Sequence, residues 1–153
     1  MLWATRLPLI VLLVGLGALS MLVPAVHAYV TRDLETARVF LYSSVMFLFL
    51  FAMISVATSN YVIRRQGRSH LISLFALFAV LPAMLAVPFT EIVTDTSFGN
   101  AYIEMVSSLT TTGLTLFEPE RLPPSLHLFR ALVAWLGGFF MWVAAIAIFA
   151  PLN

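Results

Sequence analysis

Four long stretches of this chain carry no charge. Neither Asp, Glu, Lys nor Arg occurs in the 25 residues between Arg6 and Arg32, the 25 between Arg38 and Arg64, or the 22 between Arg68 and Glu91. None follows Arg130 through the last 23 residues. A helix needs about 20 mostly apolar residues to cross the hydrocarbon of a bilayer. Spanning helices are therefore predicted near 7–29, 39–63, 71–90 and 126–150. Helix is the required form, because backbone polar groups in lipid must be bonded within their own segment; Pro24, Pro82 and Pro88 are tolerated there as kinks.

Composition excludes the main alternatives. Of 153 residues, 61% are hydrophobic and 10% charged, against about 45–50% and about 25% in soluble domains, so an ordinary soluble enzyme is ruled out. The net charge is +1 and the eight basic residues, all arginines, are scattered, which leaves no basic stripe for nucleic acid. Cysteine is absent, and with it disulfides, thiol catalysis and thiolate metal sites. His27, His70 and His127 lack metal-ligand spacing, and no nucleophile–base–acid set is visible. The chain is not expected to be an enzyme.

Orientation follows from the loops. The link between the second and third helices contains Arg64, Arg65 and Arg68 and no acid, which reads as cytoplasmic. Arg6 puts the N-terminus on the same side, so both termini of this segment are expected inside. Trp3, Tyr29 and Tyr61 fall at helix ends, where amphipathic rings favour the interface. The first stretch has a second reading as a signal peptide, with Val26-His27-Ala28 resembling a cleavage site. Its apolar run from Leu7 to Val23 exceeds the usual core of about 7–15 residues, and a retained helix is the expectation.

The segment from Ile92 to Ser125 is too long for a tight turn and too polar to span. Within it a short helix is predicted over 98–109, with Ser97 as N-cap. Asn100, Glu104, Ser107 and Ser108 share one face of that helix, and Ala101, Met105 and Leu109 another. Twelve residues reach roughly 18 Å, about half the bilayer core. Thr110-Thr111-Thr112-Gly113-Leu114-Thr115 and a polar return through Glu118 and Glu120 follow. Helix, loop and return together read as a re-entrant pore loop, with the pore helix over 98–109 and the filter over 110–115. The fold class expected is all-α integral membrane: four transmembrane helices with a re-entrant pore helix and filter loop between the third and fourth.

Non-helical backbone at membrane depth is tolerated inside protein or against a water-filled cavity. Backbone carbonyls there can replace the hydration shell of a monovalent cation, and threonine hydroxyls add further oxygens. Gly113 supplies backbone angles outside the helix and strand basins at little steric cost. The short helix directs its negative C-terminal end toward the ion. Thr-Thr-Thr-Gly by itself is a weak pattern, and its weight comes from the half-membrane helix before it. Glu104 reads as a buttress accepting hydrogen bonds from loop amides, with a capping or core acid as the plainer alternative. Glu118 and Glu120 read as a solvated rim, Arg130 as a side chain snorkelling to the outer surface, and Gly137-Gly138 as a point of close helix approach, with a hinge as the sharper alternative.

The run from Tyr102 to Thr115, Tyr-Ile-Glu-Met-Val-Ser-Ser-Leu-Thr-Thr-Thr-Gly-Leu-Thr, resembles the first pore loop of the Trk/Ktr/HKT potassium transporter superfamily, closest to the TrkH type. Leu122-Pro123-Pro124-Ser125-Leu126, Phe129-Arg130-Ala131-Leu132 and Trp135-Leu136-Gly137-Gly138 resemble that family's opening of the following helix. The likeness covers residues 100–150 in motif and the whole chain in topology. It implies two leading helices (1–68) and the first helix–pore loop–helix unit (69–153) of a potassium uptake system in the bacterial inner membrane. Four such units would surround one potassium path, with Thr110, Thr111, Thr112 and Gly113 offering backbone oxygens and Gly113 as the filter glycine.

The resemblance further implies a cytosolic nucleotide-binding regulatory subunit of the TrkA kind, a homodimer in the full-length form, and contact with membrane lipid. Leu114 stands where a small residue is common. A single unit encloses no pore, so this segment is expected to be the N-terminal part of a longer transporter, the other units lying in the same chain or in other subunits. Rival readings are a self-assembling tetrameric cation channel, disfavoured because Thr-Val-Gly-Tyr-Gly is absent, and a non-conducting membrane assembly subunit.

Overall fold

In the computed structural model, which describes residues 9–58 and 66–149, helix is the one kind of regular secondary structure among the described residues, without a strand. The elements are α1 (Leu9–Ser20), α2 (Leu22–Val30), α3 (Leu34–Thr58), α4 (Gln66–Ile92), α5 (Phe98–Leu109), a single 3-10 turn at Pro119–Arg121, and α6 (Pro124–Phe149). Over the described residues, the predicted stretches at 39–63, 71–90 and 126–150 coincide with helix, and the one at 7–29 does so except at Met21. Three stretches are long and apolar enough to cross a membrane: Val11–Val30, Leu34–Thr58 and Pro124–Val143. The apolar part of α4, Ala76–Ile92, is a shorter helix of the same character. Trp3, Arg6, Tyr61, Arg64 and Arg65 lie outside the described residues, and with them most of the basic cluster used for orientation. Arg68 falls in the backbone of α4.

The first predicted span is two helices in line. The ring of Pro24 removes an N–H and crowds the carbonyl of Ser20, and the helix is interrupted at Met21 between α1 and α2. The Ser20 hydroxyl meanwhile donates to Gly17 O at 2.7 Å. Pro82 and Pro88 are carried inside α4 without a break. Thr90 Oγ1 donates to Ala86 O at 2.6 Å and Tyr102 OH to Ala79 O at 3.2 Å, so side chains bond carbonyls on either side of Pro82.

The first span packs on α3 and α4, α3 also meets α4, and α5 lies between α4 and α6. One continuous core results. Met21, Phe40, Leu77, Leu81, Leu85, Phe89, Met105, Leu109, Leu126, Phe129 and Phe140 are fully buried in it. Phe40 of α3 meets Phe129 of α6 edge to face, with ring centroids 4.9 Å apart. Polar clips tie the same elements: Ser44 Oγ donates to Ala18 O at 2.8 Å, and His27 Nδ1 lies 2.8 Å from Ser125 Oγ. The outer faces are apolar, with Tyr29, Tyr42, Phe49, Val56, Trp135, Trp142 and Ile146 largely exposed. Leaving such a side chain in water forfeits about 1.5–3 kcal/mol each, so these faces require a lipid or protein environment.

Candidate functional site

The short helix begins where the sequence places its cap. Ser97 is extended (φ −81°, ψ 152°) and its side chain accepts from Asn100 N at 3.2 Å, opening α5 at Phe98. Ala101, Met105 and Leu109 are buried as one face. The second face is buried as well: Glu104, Ser107 and Ser108 are enclosed, and Asn100 alone of that set is exposed. A helix with two buried faces must satisfy its polar side chains inside the protein. The loop it leads into supplies that satisfaction.

Helix α5 closes in a left-handed cap. The Thr111 N–H donates to Ser108 O at 3.1 Å and the Thr112 N–H to Ser107 O at 3.0 Å. These are the paired 5→2 and 6→1 bonds of a Schellman motif, whose left-handed residue is usually glycine. Here that residue is Thr111, at φ 56°. A β-branched side chain in this region is an outlier, so the loop holds backbone strain at its first turn. Gly113 is the second left-handed position, at φ 79°, and there glycine adopts the angle at little cost.

Between these two turns the threonines bond locally. Thr110 Oγ1 donates to Val106 O at 2.8 Å and stands 2.8 Å from Thr112 Oγ1. The carbonyls of Val106, Ser107 and Ser108 are thus engaged within the cap itself. Among the described residues, nothing donates a hydrogen bond to the carbonyl oxygens of Thr110, Thr111, Thr112 or Gly113. Residues 110–116 are exposed and non-helical. Unbonded carbonyls on an exposed loop need water, another protein group or a cation.

The return segment is tied to α5 at alternate residues. Glu104 Oε2 accepts from Leu116 N at 2.9 Å, and Ser107 Oγ donates to Leu114 O at 2.7 Å. Glu104 and Ser107 are one turn apart, so one stripe of the helix holds both backbone groups. Glu104 is 0% exposed. Its other oxygen, Oε1, lies 2.6 Å from Arg130 Nη2 of α6. That contact is one of charge and not an aligned hydrogen bond, for Oε1 and Arg130 Nε both lack a hydrogen-bond partner.

Arg130 therefore does not snorkel outward as its type suggests. Its side chain, 21% exposed, turns in to the carboxylate, because a buried anion left unpaired costs far more than a surface arginine gains. Leu114, by contrast, is largely exposed.

The two glycines of α6 differ. A Cβ on Gly137 would stand 1.8 Å from Leu109 O and 2.6 Å from Leu109 C, whereas one on Gly138 would meet nothing within 4 Å. Gly137 is the point where the end of α5 lies directly on the α6 backbone. Gly138 has no such role among the described residues. A cavity of about 350 Å³ opens beside this junction, lined by Ser107, Thr111, Gly113, His127, Arg130 and Ala134 among others.

Glu118 and Glu120 are exposed. His127 Nε2 lies 2.9 Å from Pro119 O, and Arg121 pairs with Asp95. Among the described residues no group of three or more His, Cys, Asp or Glu could hold a metal ion, so any cation at the loop would rest on neutral oxygens. Ser107 and Leu116 were not picked out as site residues by the sequence. The one-turn spacing of Ser107 from Glu104 was the available signal for the first; nothing local marks the second.

Comparison with known proteins gives two relatives. The chain is 29% identical over 146 residues to the Trk system potassium uptake protein TrkH of Vibrio parahaemolyticus, an alignment covering 93% of this chain and 30% of that protein. It is 43% identical over 72 residues to the Trk system potassium uptake protein TrkI of Halomonas elongata, covering 46% of this chain and 13% of that protein. The chain thus spans less than a third of the length of either relative. No family model matches it, and no solved structure does. Both relatives are named as Trk system potassium uptake proteins, and the chain is similar to them.

Proposed function

We propose that this relative of the Trk potassium uptake proteins forms part of a potassium path across the bacterial inner membrane. Residues 1–68 supply two leading helices, and 69–153 one helix–pore loop–helix unit. In this reading α5 is a re-entrant pore helix and residues 110–115 form one of four walls of a selectivity filter. Thr110, Thr111, Thr112 and Gly113 face the ion with main-chain oxygens. The observation that carries the reading is the loop itself: four consecutive carbonyls with no hydrogen bond among the described residues, at the end of a half-length buried helix between α4 and α6.

The chemistry suits a weakly hydrated monovalent cation. Neutral dipoles bind such an ion well enough to replace its water and loosely enough to release it, whereas a divalent ion calls for carboxylates. The carboxylate within reach, Glu104, is already bound by Arg130 and the Leu116 amide. Transport would be passage down the electrochemical gradient, with further units closing the path and a nucleotide-binding subunit on the cytosolic side controlling it. Both termini of this segment would face the cytoplasm, and the full-length protein would be a homodimer.

The test is ion uptake by the full-length protein in a bacterium lacking its own potassium uptake systems. Growth in low potassium should be restored, and Gly113→Ser should weaken discrimination against sodium, because serine at φ 79° would shift the carbonyls. Relative potassium and sodium fluxes left unchanged by Gly113→Ser would remove the filter assignment.

A further inference from the structure

We propose that Glu104 and Ser107 are positioning residues that set the height of the ion-facing backbone by tethering the return segment to α5, and that Arg130 holds Glu104 in place. The inference rests on the reading of residues 110–113 as an ion-facing loop. Three elements meet at one carboxylate: α5 contributes Glu104, the return segment the Leu116 amide, and α6 the Arg130 guanidinium. Ser107 draws in the Leu114 carbonyl two residues earlier. Both tethers come from a buried stripe of α5.

Their effect is to fix which backbone groups face which way. Leu114 C=O and Leu116 N–H are consumed on the α5 side, so the carbonyls before them remain available on the exposed side. The strained turn at Thr111 needs such restraint. A left-handed threonine relaxes unless the structure around it over-determines the angle, and the loop is held at one end by its cap and at the other by these tethers. Arg130 has a second consequence. It lines the cavity beside Thr111 and Gly113, where an unneutralised guanidinium would repel a cation; the Glu104 carboxylate cancels that charge.

Two neutral double variants separate the tether from the charge. Glu104→Gln with Arg130→Met keeps an acceptor for the Leu116 amide, while Glu104→Leu with Arg130→Met removes it. Neither leaves an unpaired buried charge, the condition under which replacing an ion pair is tolerated. Rubidium uptake competed by sodium is measured in the full-length protein, alongside the amount inserted and its thermal unfolding in detergent. The Gln/Met protein, which keeps the acceptor but loses the Arg130 clamp, should discriminate less sharply than the parent and better than the Leu/Met protein. The Leu/Met protein should insert and unfold normally but lose discrimination by about fivefold or more, the scale of one lost tether.

Parental discrimination in an inserted Leu/Met protein would overturn the proposal. Ser107→Ala, which changes no charge, is read in parallel and should lower discrimination in the same direction. Failure of the Leu/Met protein to insert, together with unaltered selectivity in Ser107→Ala, would equally overturn it in favour of a purely structural pair. The filter reading fails separately: in that case Gly113→Ser also leaves the rubidium-to-sodium ratio unchanged.

Discussion

At the scale of single residues, two backbone positions at the end of α5 carry measurable consequences. A methyl group on Gly137 would overlap the Leu109 carbonyl oxygen at 1.8 Å, and that oxygen belongs to backbone that cannot swing away. Gly137→Ala must therefore push α5 off α6. The expected cost is about 3 kcal/mol, the upper end for overpacking, read as a lower unfolding temperature in detergent. Gly138→Ala, with open space around it, should unfold as the parent does.

Thr111 gives the opposite sign. A left-handed L-residue costs roughly 1–2 kcal/mol, and glycine recovers that less about 0.5–1 kcal/mol of added chain entropy. Thr111→Gly should thus raise stability by about 0.5–1 kcal/mol in the same assay. The sequence made Gly113 legible as a left-handed position because glycine advertises it. Thr111 was not legible, since nothing about a threonine marks it as the C′ residue of a helix cap. The Glu104 to Arg130 contact was hidden for a related reason: a loop and the start of another helix separate the partners, and arginine near a helix start reads by default as a surface group.

At the scale of elements, α5 was the most legible part of the chain. Its boundaries, 98–109, follow from Ser97 as a cap at one end and the threonine-glycine run at the other, and the structure has the same limits. Ser97→Ala removes the acceptor for the Asn100 amide and should cost about 1 kcal/mol, with fraying confined to the first turn. Amide exchange should rise at Asn100 and Ala101, whose N–H groups bond Ser97, and stay slow at 105–109, which the core and Gly137 enclose. Uniform acceleration across α5 would mean that the helix end is held by its cap alone. The periodic pattern divides α5 into a polar and an apolar face, and apart from Asn100 the named residues of both are buried. Periodicity tells which residues share a face and not what covers it; here the cover is the loop folded back on the helix.

At the scale of the whole molecule, four charge-free stretches locate the long apolar helices, whereas α5, which carries Glu104, is found from its cap and the loop after it. Their arrangement around α5 was not available from periodicity. A spanning helix that meets lipid on one side and core on the other is apolar all round, so its sequence does not mark which side faces a neighbour. The neighbours come instead from contacts such as Phe40 with Phe129 and His27 with Ser125. The placement of each surface relative to the membrane yields to chemistry, because these 153 residues hold no cysteine and single thiols introduced into them can be read against the unsubstituted full-length protein as the labelling control. A thiol reacts as its thiolate, which forms in water and not in an apolar setting. Thr112→Cys, on the exposed loop, should react with a charged, membrane-impermeant maleimide added outside intact cells, and excess potassium should slow that reaction if the loop holds the ion. Gly67→Cys, at the start of α4 beside the basic cluster, should react only once the membrane is permeabilised. Trp142→Cys, on the outward apolar face of α6, should react in neither condition. Labelling of Thr112→Cys solely after permeabilisation would invert the topology, because the cluster at 64–68 would then have to face outward against its charge.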